Sequence, residues 1–205
     1  MSFDIDVRVR RGDRTVTAAF KTGGGVTALF GPSGVGKTTI LHAVAGLLTP
    51  DTGRICVNAR VMFGANINLA PHERRCGMVF QDGRLFPHMR VEANLRYGWK
   101  HSAERHHLLG FSETVDFLGI GHLLDRRPRT LSGGEAQRVA IGRALLSAPE
   151  FLAMDEPLVA LDGARRNEIM TVIERIRDEL RIPILYVSHD RSEVDRLATQ
   201  IVELG

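Results

Sequence analysis

The sequence has no apolar run near the ~20 residues that cross a bilayer; Ile184 to Val187 is typical of its longest stretches. Its first residues, MSFDIDVRVRRGD, alternate charged and apolar side chains and contain no apolar signal-peptide core, so the chain is expected to stay in the cytoplasm. Two cysteines, Cys56 and Cys76, are too few for a disulfide framework and lack CxxC spacing, and both read as buried thiols. Basic residues number 27 against 24 acids, and they are dispersed rather than clustered, which gives no nucleic-acid footprint. Repeats, low-complexity tracts and long linkers are missing as well.

What is present is ordinary for a globular chain. The 205 residues, 43% hydrophobic and 25% charged, suffice for one α/β domain over 1–205. Phe3, Ile5, Val7 and Val9 alternate with polar residues, Gly12-Asp13 turns the chain, and Val16, Ala18 and Phe20 resume the alternation. After Gly23-Gly24-Gly25, Val26 to Phe30 reads as a buried strand. Ile40, Leu41, Val44, Ala45 and Leu48 recur at helical spacing, ending near Thr49-Pro50. Gly53 to Val57, Val61 to Phe63 and Gly77 to Phe80 read as further strands. From Val91 to about Asp125 the pattern turns helical, with Leu108, Phe111, Val115 and Leu118 on one face and Gly110 interrupting it. Phe151 to Met154 and Ile184 to Ser188 are strands. Between them Ile169, Ile173, Ile176 and Leu180 mark an amphipathic helix. Strands alternating with helices imply a parallel sheet covered on both faces. A small antiparallel lobe is expected over about 1–25 and 53–70, and a helical insertion over about 88–138.

GPSGVGKT matches the pattern G-x-x-x-x-G-K-[ST] between a strand and a helix. Gly31, Gly34 and Gly36 let backbone N–H groups curl around phosphate oxygens, and the helix N-terminus adds partial positive charge. The nucleotide-binding stretch is Gly31, Pro32, Ser33, Gly34, Val35, Gly36, Lys37, Thr38 and Thr39. Lys37 reaches the β- and γ-phosphates, and the Thr38 hydroxyl ligates Mg²⁺. The strand Phe151 to Met154 runs into Asp155 and Glu156. Asp155 suits a water-linked Mg²⁺ contact, and Glu156 is placed to polarise the attacking water. Gln81 follows one strand of the same sheet and is a candidate for Mg²⁺ and that water. His189 follows another and is a candidate for the γ-phosphate and the Glu156 region.

A second glycine-rich helix start, LSGGEAQ, comprises Leu131, Ser132, Gly133, Gly134, Glu135, Ala136 and Gln137. One nucleotide has one γ-phosphate, already held by Lys37. A second cap is useful if it closes over the nucleotide of another copy, so that two head-to-tail subunits bury two ATP molecules.

These five motifs, in this order and across essentially the whole chain, resemble the ATP-binding cassette (ABC) ATPases. The resemblance implies a P-loop NTPase (RecA-like) fold, ATP and Mg²⁺ as cofactors, and a homodimer that ATP closes and hydrolysis releases. It also implies that Leu131, Ser132, Gly133, Gly134, Glu135 and Gln137 contact the partner's ATP, and that Leu161 and Asp162 form the D-loop. The stretches GVTALFGPSGVGKTT, PHERRCGMVFQDGRLFPHMRVEANLRYG, LSGGEAQRVAIGRALLSAPE and IPILYVSHD resemble the molybdate-import branch of that family in particular. That similarity implies a peripheral subunit at the cytoplasmic face of the plasma membrane, bound to permease subunits and through them to an extracytoplasmic binding protein. Leu85, Phe86, Pro87 and Met89 would then be the apolar permease-docking surface, against the reading of a core-packed loop. Importers of sulfate or another anion, and non-transport ABC ATPases, stand as alternatives for the cargo and role. LSGGEAQ argues against a general P-loop kinase.

The sequence departs from the family pattern in places. Ala160 replaces the usual D-loop serine. Val9 to Thr15 offers no aromatic for the adenine, leaving aliphatic side chains, Arg or Phe3 as its support. The chain stops at Gly205, before the oxyanion-binding domain that many molybdate-type ATPases carry, as expected of a short form or a truncated chain. Lys100-His101 through Arg105-His106-His107 reads as a solvated polar turn, with a metal site as the alternative.

Overall fold

In the computed structural model, which describes residues 2–101 and 108–205, the chain forms two sheets with one helix held between them. Alternation at the start forms β1 (Phe3–Arg11), with Phe3, Ile5, Val7 and Val9 all buried. The chain returns antiparallel as β2 (Arg14–Thr22), with Val9 opposite Val16. β3 (Val26–Phe30) then leads into α1 (Lys37–Ala45). β4 (Thr52–Val57), β5 (Arg60–Gly64) and β6 (Ile67–Asn68) complete an antiparallel sheet in the order β2-β1-β4-β5-β6.

The remaining strands are β7 (Cys76–Val79), β8 (Phe151–Asp155), β9 (Ile184–Ser188) and β10 (Gln200–Glu203). They join β3 in a parallel sheet ordered β10-β3-β9-β8-β7. The intervening helices are α2 (Val91–His101), α3 (Phe111–Leu118), α4 (Gly133–Leu145), α5 (Gly163–Arg175) and α6 (Arg191–Leu197).

The period of two along the buried strands explains the layering. Phe151, Ala153, Leu185 and Val187 point to the side where α1 contributes Ile40, Leu41 and Val44 and the antiparallel sheet contributes Ile5 and Ile55. Leu152, Met154, Ile184 and Tyr186 point to the other side, against Val139 and Ile141 of α4 and Ile169 and Ile173 of α5. Removing each large apolar side chain from water contributes about 1.5–3 kcal/mol, so both layers are anchored by the same central strands.

Several sequence expectations shift. α1 ends at Ala45, not near Pro50, because Gly46 adopts a left-handed conformation (φ 82°) and its N–H turns back to the Ala43 carbonyl. The helical stretch after Val91 divides: Gly110 caps α3 from an extended conformation, and Gly119 (φ 64°) ends it. Leu108 therefore precedes α3 and is exposed, whereas Val115 and Leu118 are buried. Short 3₁₀ turns at Gly121–Leu123 and Pro128–Thr130 carry the chain to α4. The Ile169-to-Leu180 pattern is α5 followed by a π turn, Ile176–Leu180. Neither α6 nor β10 is evident from periodicity, since both are too short to show a full pattern. Cys56 is buried as expected. Cys76 is only partly buried as a residue, yet its thiol is desolvated and pushed up to about 12. Residues 102–107, which carry most of the histidine-rich turn, lie outside the described residues. Among the described residues no helix is long and apolar enough to cross a membrane.

Candidate functional site

Four parallel strands end at one edge of the sheet. Their register places Phe30 beside Ser188, Val187 beside Asp155, and Met154 beside Val79. The chain therefore emits Gly31, His189, Glu156 and, after Phe80, Gln81 along a single rim, where ligands of such sheets bind. Strand β7 stops one residue short of the expected Phe80, and the Gln81 side chain is exposed.

Beyond β3 the loop Gly31–Gly36 wraps a cavity of about 210 Å³, lined by Ser33, Gly34, Gly36, Lys37, Thr38, Thr39 and Glu156. Gly36 is the N-cap of α1 at φ 109°. A Cβ there would lie 2.5 Å from Val16 Cγ1, so only glycine lets β2 close over the loop. Lys37 is 4% exposed, and its Nζ donates to the carbonyls of Gly31 (2.7 Å) and Pro32 (2.9 Å). Among the described residues its hydrogen-bond partners are these neutral carbonyls, so the buried ammonium is a cation ready for an anionic partner. Lys37, Thr38 and Thr39, the first residues of α1, line the same space, and a helix start leaves its first N–H groups without intrahelical partners.

The Thr38 hydroxyl donates to Asp155 Oδ1 at 2.7 Å, joining the start of α1 to the end of β8. These are two hard oxygen ligands of the kind Mg²⁺ takes, and a single carboxylate suits an ion otherwise held by water and phosphate. Among the described residues no three His, Cys, Asp or Glu side chains stand together as a metal-holding group. Glu156 has φ 44°, a left-handed conformation unusual for a non-glycine residue, and its N–H donates to the Val187 carbonyl at 3.1 Å. That bond holds the turn so that Glu156 Oε1 comes within 3.1 Å of His189 Nδ1.

Leu131, Ser132, Gly133, Gly134, Glu135 and Gln137 open α4. Ser132 Oγ accepts from the Glu135 N–H at 3.3 Å while Glu135 Oε2 accepts from the Ser132 N–H at 2.7 Å, a reciprocal capping box. That backbone N–H, with the Ser132 hydroxyl and Arg126, holds the Glu135 carboxyl below the usual carboxylate range. Gly134 and Gln137 are buried, whereas Gly133 is exposed. No residue of 131–137 lines the P-loop cavity. Leu161 is buried, and a Cβ on Gly133 would stand 3.0 Å from its Cδ2; Asp162 caps α5 through the Arg165 N–H at 3.0 Å. Ala160 is exposed beside them.

The four residues proposed to dock a permease are not equivalent. Leu85 packs against the helical core. Phe86 is partly buried, its backbone tied to Asn94 and its ring 4.8 Å from that of Tyr97. Pro87 is exposed, and Met89 borders a groove with Glu92, Ala93, Arg96 and Tyr97.

Phe3 does not support an adenine: it is 0% exposed, packed edge-on against Phe151 at 5.8 Å. The sequence reading also missed His42. It follows Thr38 by four residues and so shares its helix face, the spacing that could have revealed it. Its Nε2 lies 3.9 Å from Asp155 Oδ2, and burial, partly opposed by Asp155, pushes its pKa below the ordinary histidine value.

A family model described as "ABC transporter" matches residues 17–159. The molybdenum import ATP-binding protein ModC of Mesorhizobium japonicum is 55% identical over 207 residues, covering 100% of this chain and 56% of that protein. Its counterpart in Brucella melitensis is 57% identical over 203 residues, covering 98% and 56%. The chain thus spans a little over half the length of these curated relatives. Among solved structures, cbiO1 of Clostridium perfringens, part of the ABC transporter complex cbiONQ, superposes with TM-score 0.82 at 26% identity, covering 98% of this chain and 84% of that one. A dimeric ATP-binding cassette in a post-hydrolysis state with ADP and Pi shares the fold at TM-score 0.78 and 24% identity, over 99% and 93% of the two chains. With a phosphate cradle, a strand-end acid pair and a second capped helix in these places, and the family match spanning most of its length, the chain belongs to the ABC transporter family.

Proposed function

We propose that the chain is the ATP-hydrolysing subunit of an ABC importer and that its cargo is molybdate. The observation that carries the hydrolytic part is the convergence of Lys37, the Thr38–Asp155 pair and the Glu156–His189 pair on one rim. The cargo rests on the names of relatives more than half identical over nearly all of this chain.

In this reading ATP phosphates enter the cavity, and Lys37 exchanges the Gly31 and Pro32 carbonyls for phosphate oxygens. Thr38, Asp155 through water, and Gln81 would hold Mg²⁺, which would supply neutralising charge for the triphosphate. Glu156 accepts the proton of the attacking water, and His189 holds the Glu156 carboxylate and the γ-phosphate side of the site. The signature turn lies outside its own chain's cavity, which supports a head-to-tail homodimer in which Ser132, Gly133 and Gly134 meet the partner's nucleotide. Leu161, packed beneath Gly133, and Asp162 next to it belong to the same interface. Phe86, Pro87 and Met89, with Leu85 behind them, would receive a permease at the cytoplasmic face of the membrane, and the permease in turn would engage an external binding protein.

The test is cellular molybdenum, measured by mass spectrometry at scarce external molybdate, in cells where Lys37→Ala replaces the native protein. A deep fall, corrected by excess molybdate, is expected. Unchanged molybdenum with lost sulfate uptake would reassign the cargo. Absence of phosphate release by the purified protein with its permease would remove the hydrolytic reading.

A further inference from the structure

The loop carrying His189 rests on a buried polar network. Glu193 of α6 is 3% exposed, and its Oε2 accepts from Tyr186 Oη at 2.9 Å and from Ser188 Oγ at 2.8 Å. Ser188 Oγ accepts in turn from the Asp190 N–H at 3.0 Å. A carboxylate this deep persists only when its charge and lone pairs are met. The cation that meets it comes from α5: Arg166 Nη1 donates to Asp190 Oδ2 at 2.9 Å, and its Nε stands 3.8 Å from Glu193 Oε1. That Nε is buried and has no hydrogen-bond partner among the described residues. One guanidinium thus bridges the residue after His189 and the carboxylate under Ser188.

The same helix faces the signature turn. Glu168 of α5 pairs with Arg138 of α4, and a Cβ on Gly134 would rest 3.4 Å from Arg165 Cβ. The His189 loop and the signature helix are therefore both fastened to α5, within three residues of Arg166.

We propose that Arg166 is a positioning residue for ATP turnover: it fixes the His189 loop to α5, so that the imidazole stands at Glu156 and moves with the helix that supports the signature turn. The inference rests on the hydrolytic reading above. Arg196 supplies the comparison that separates positioning from simple stabilisation. It also binds α6 to α5, through Asn167 (3.0 Å), Thr171 (3.1 Å) and Glu174 (2.8 Å), but none of these partners belongs to the His189 loop.

The experiment compares Arg166→Met with Arg196→Met by steady-state ATPase kinetics and by the His189 side-chain ¹H–¹⁵N signals of nucleotide-free protein. Arg166→Met should lower kcat at least tenfold with KM within twofold, and shift the His189 signals. Arg166→Lys should recover part of kcat, and Arg196→Met should leave kcat and the signals near wild type. If Arg166→Met does not fold, Glu193→Gln, which keeps the shape and removes the charge, should give the same kcat loss and signal shift. Equal kcat losses in the Arg166 and Arg196 variants, or His189 signals unmoved by Arg166→Met or Glu193→Gln, would overturn the inference. Because those signals need no nucleotide, they read it even where the wild type releases no phosphate, an outcome that sinks the hydrolytic reading instead.

Discussion

His189 Nδ1 stands 3.1 Å from Glu156 Oε1, across the ends of the neighbouring strands β9 and β8. The pair is half in solvent on the histidine side, while the glutamate faces the P-loop cavity. On the proposed hydrolytic reading, a carboxylate so placed is the proton acceptor of the site.

Glu156→Gln should therefore abolish turnover while leaving the cradle intact. Loss of a general base typically costs about 10²–10⁴-fold in rate. Phosphate release should fall by that factor, and light scattering with saturating Mg-ATP should show a persistent dimer. A variant that stays monomeric under those conditions would count against the two-site sandwich.

Lys37→Ala removes the cation buried in the cradle. Charge-assisted hydrogen bonds contribute about 1.5–3 kcal/mol, or roughly 10- to 150-fold in affinity. Titration with a fluorescent ATP analogue should show a loss in that range. Affinity equal to wild type would remove Lys37 from the phosphate site.

Gly36→Ala meets two penalties. Its φ of 109° is strained for any side chain, and the new methyl would lie 2.5 Å from Val16 Cγ1. Backbone strain and overpacking each cost about 1–3 kcal/mol, so urea denaturation should show a clear loss of stability. Adding Val16→Ala should restore the steric part only, leaving the double variant between Gly36→Ala and wild type.

Cys76 should resist alkylation. Burial raises its thiol from an ordinary 9.0 to about 12, so it stays protonated in the folded chain at pH 8. The unfolded chain ionises first, so it binds fewer protons than the folded chain between pH 9 and 12, and stability falls as pH rises through that window. Mass spectrometry after brief iodoacetamide treatment at pH 8 should find Cys76 unmodified, and Cys76→Ala should flatten the alkaline limb of a stability curve.

The sequence by itself determined the local chemistry: GPSGVGKT, LSGGEAQ and the acid pair after Met154 are each contiguous stretches, and the two glycine-rich turns are built from neighbours in the chain. Gly36 ends one loop and caps one helix, and the box between Ser132 and Glu135 closes within four residues. Strand alternation was equally legible, because burial with a period of two needs only a few residues to declare itself. Only the tertiary structure decided how those pieces meet. Parallel register brought Gly31, Glu156 and His189 to one rim, which depends on strand order and not on any stretch of sequence. It buried Phe3 edge-on against Phe151 and so left that ring no face for an adenine. It ended α1 at Gly46, where the Arg74 side chain occupies the space a longer side chain would need. It also set Arg166 beside Asp190, 24 residues away in the chain. Contacts of that kind arise when separate elements pack on shared strands, and their energy exists only after the packing does.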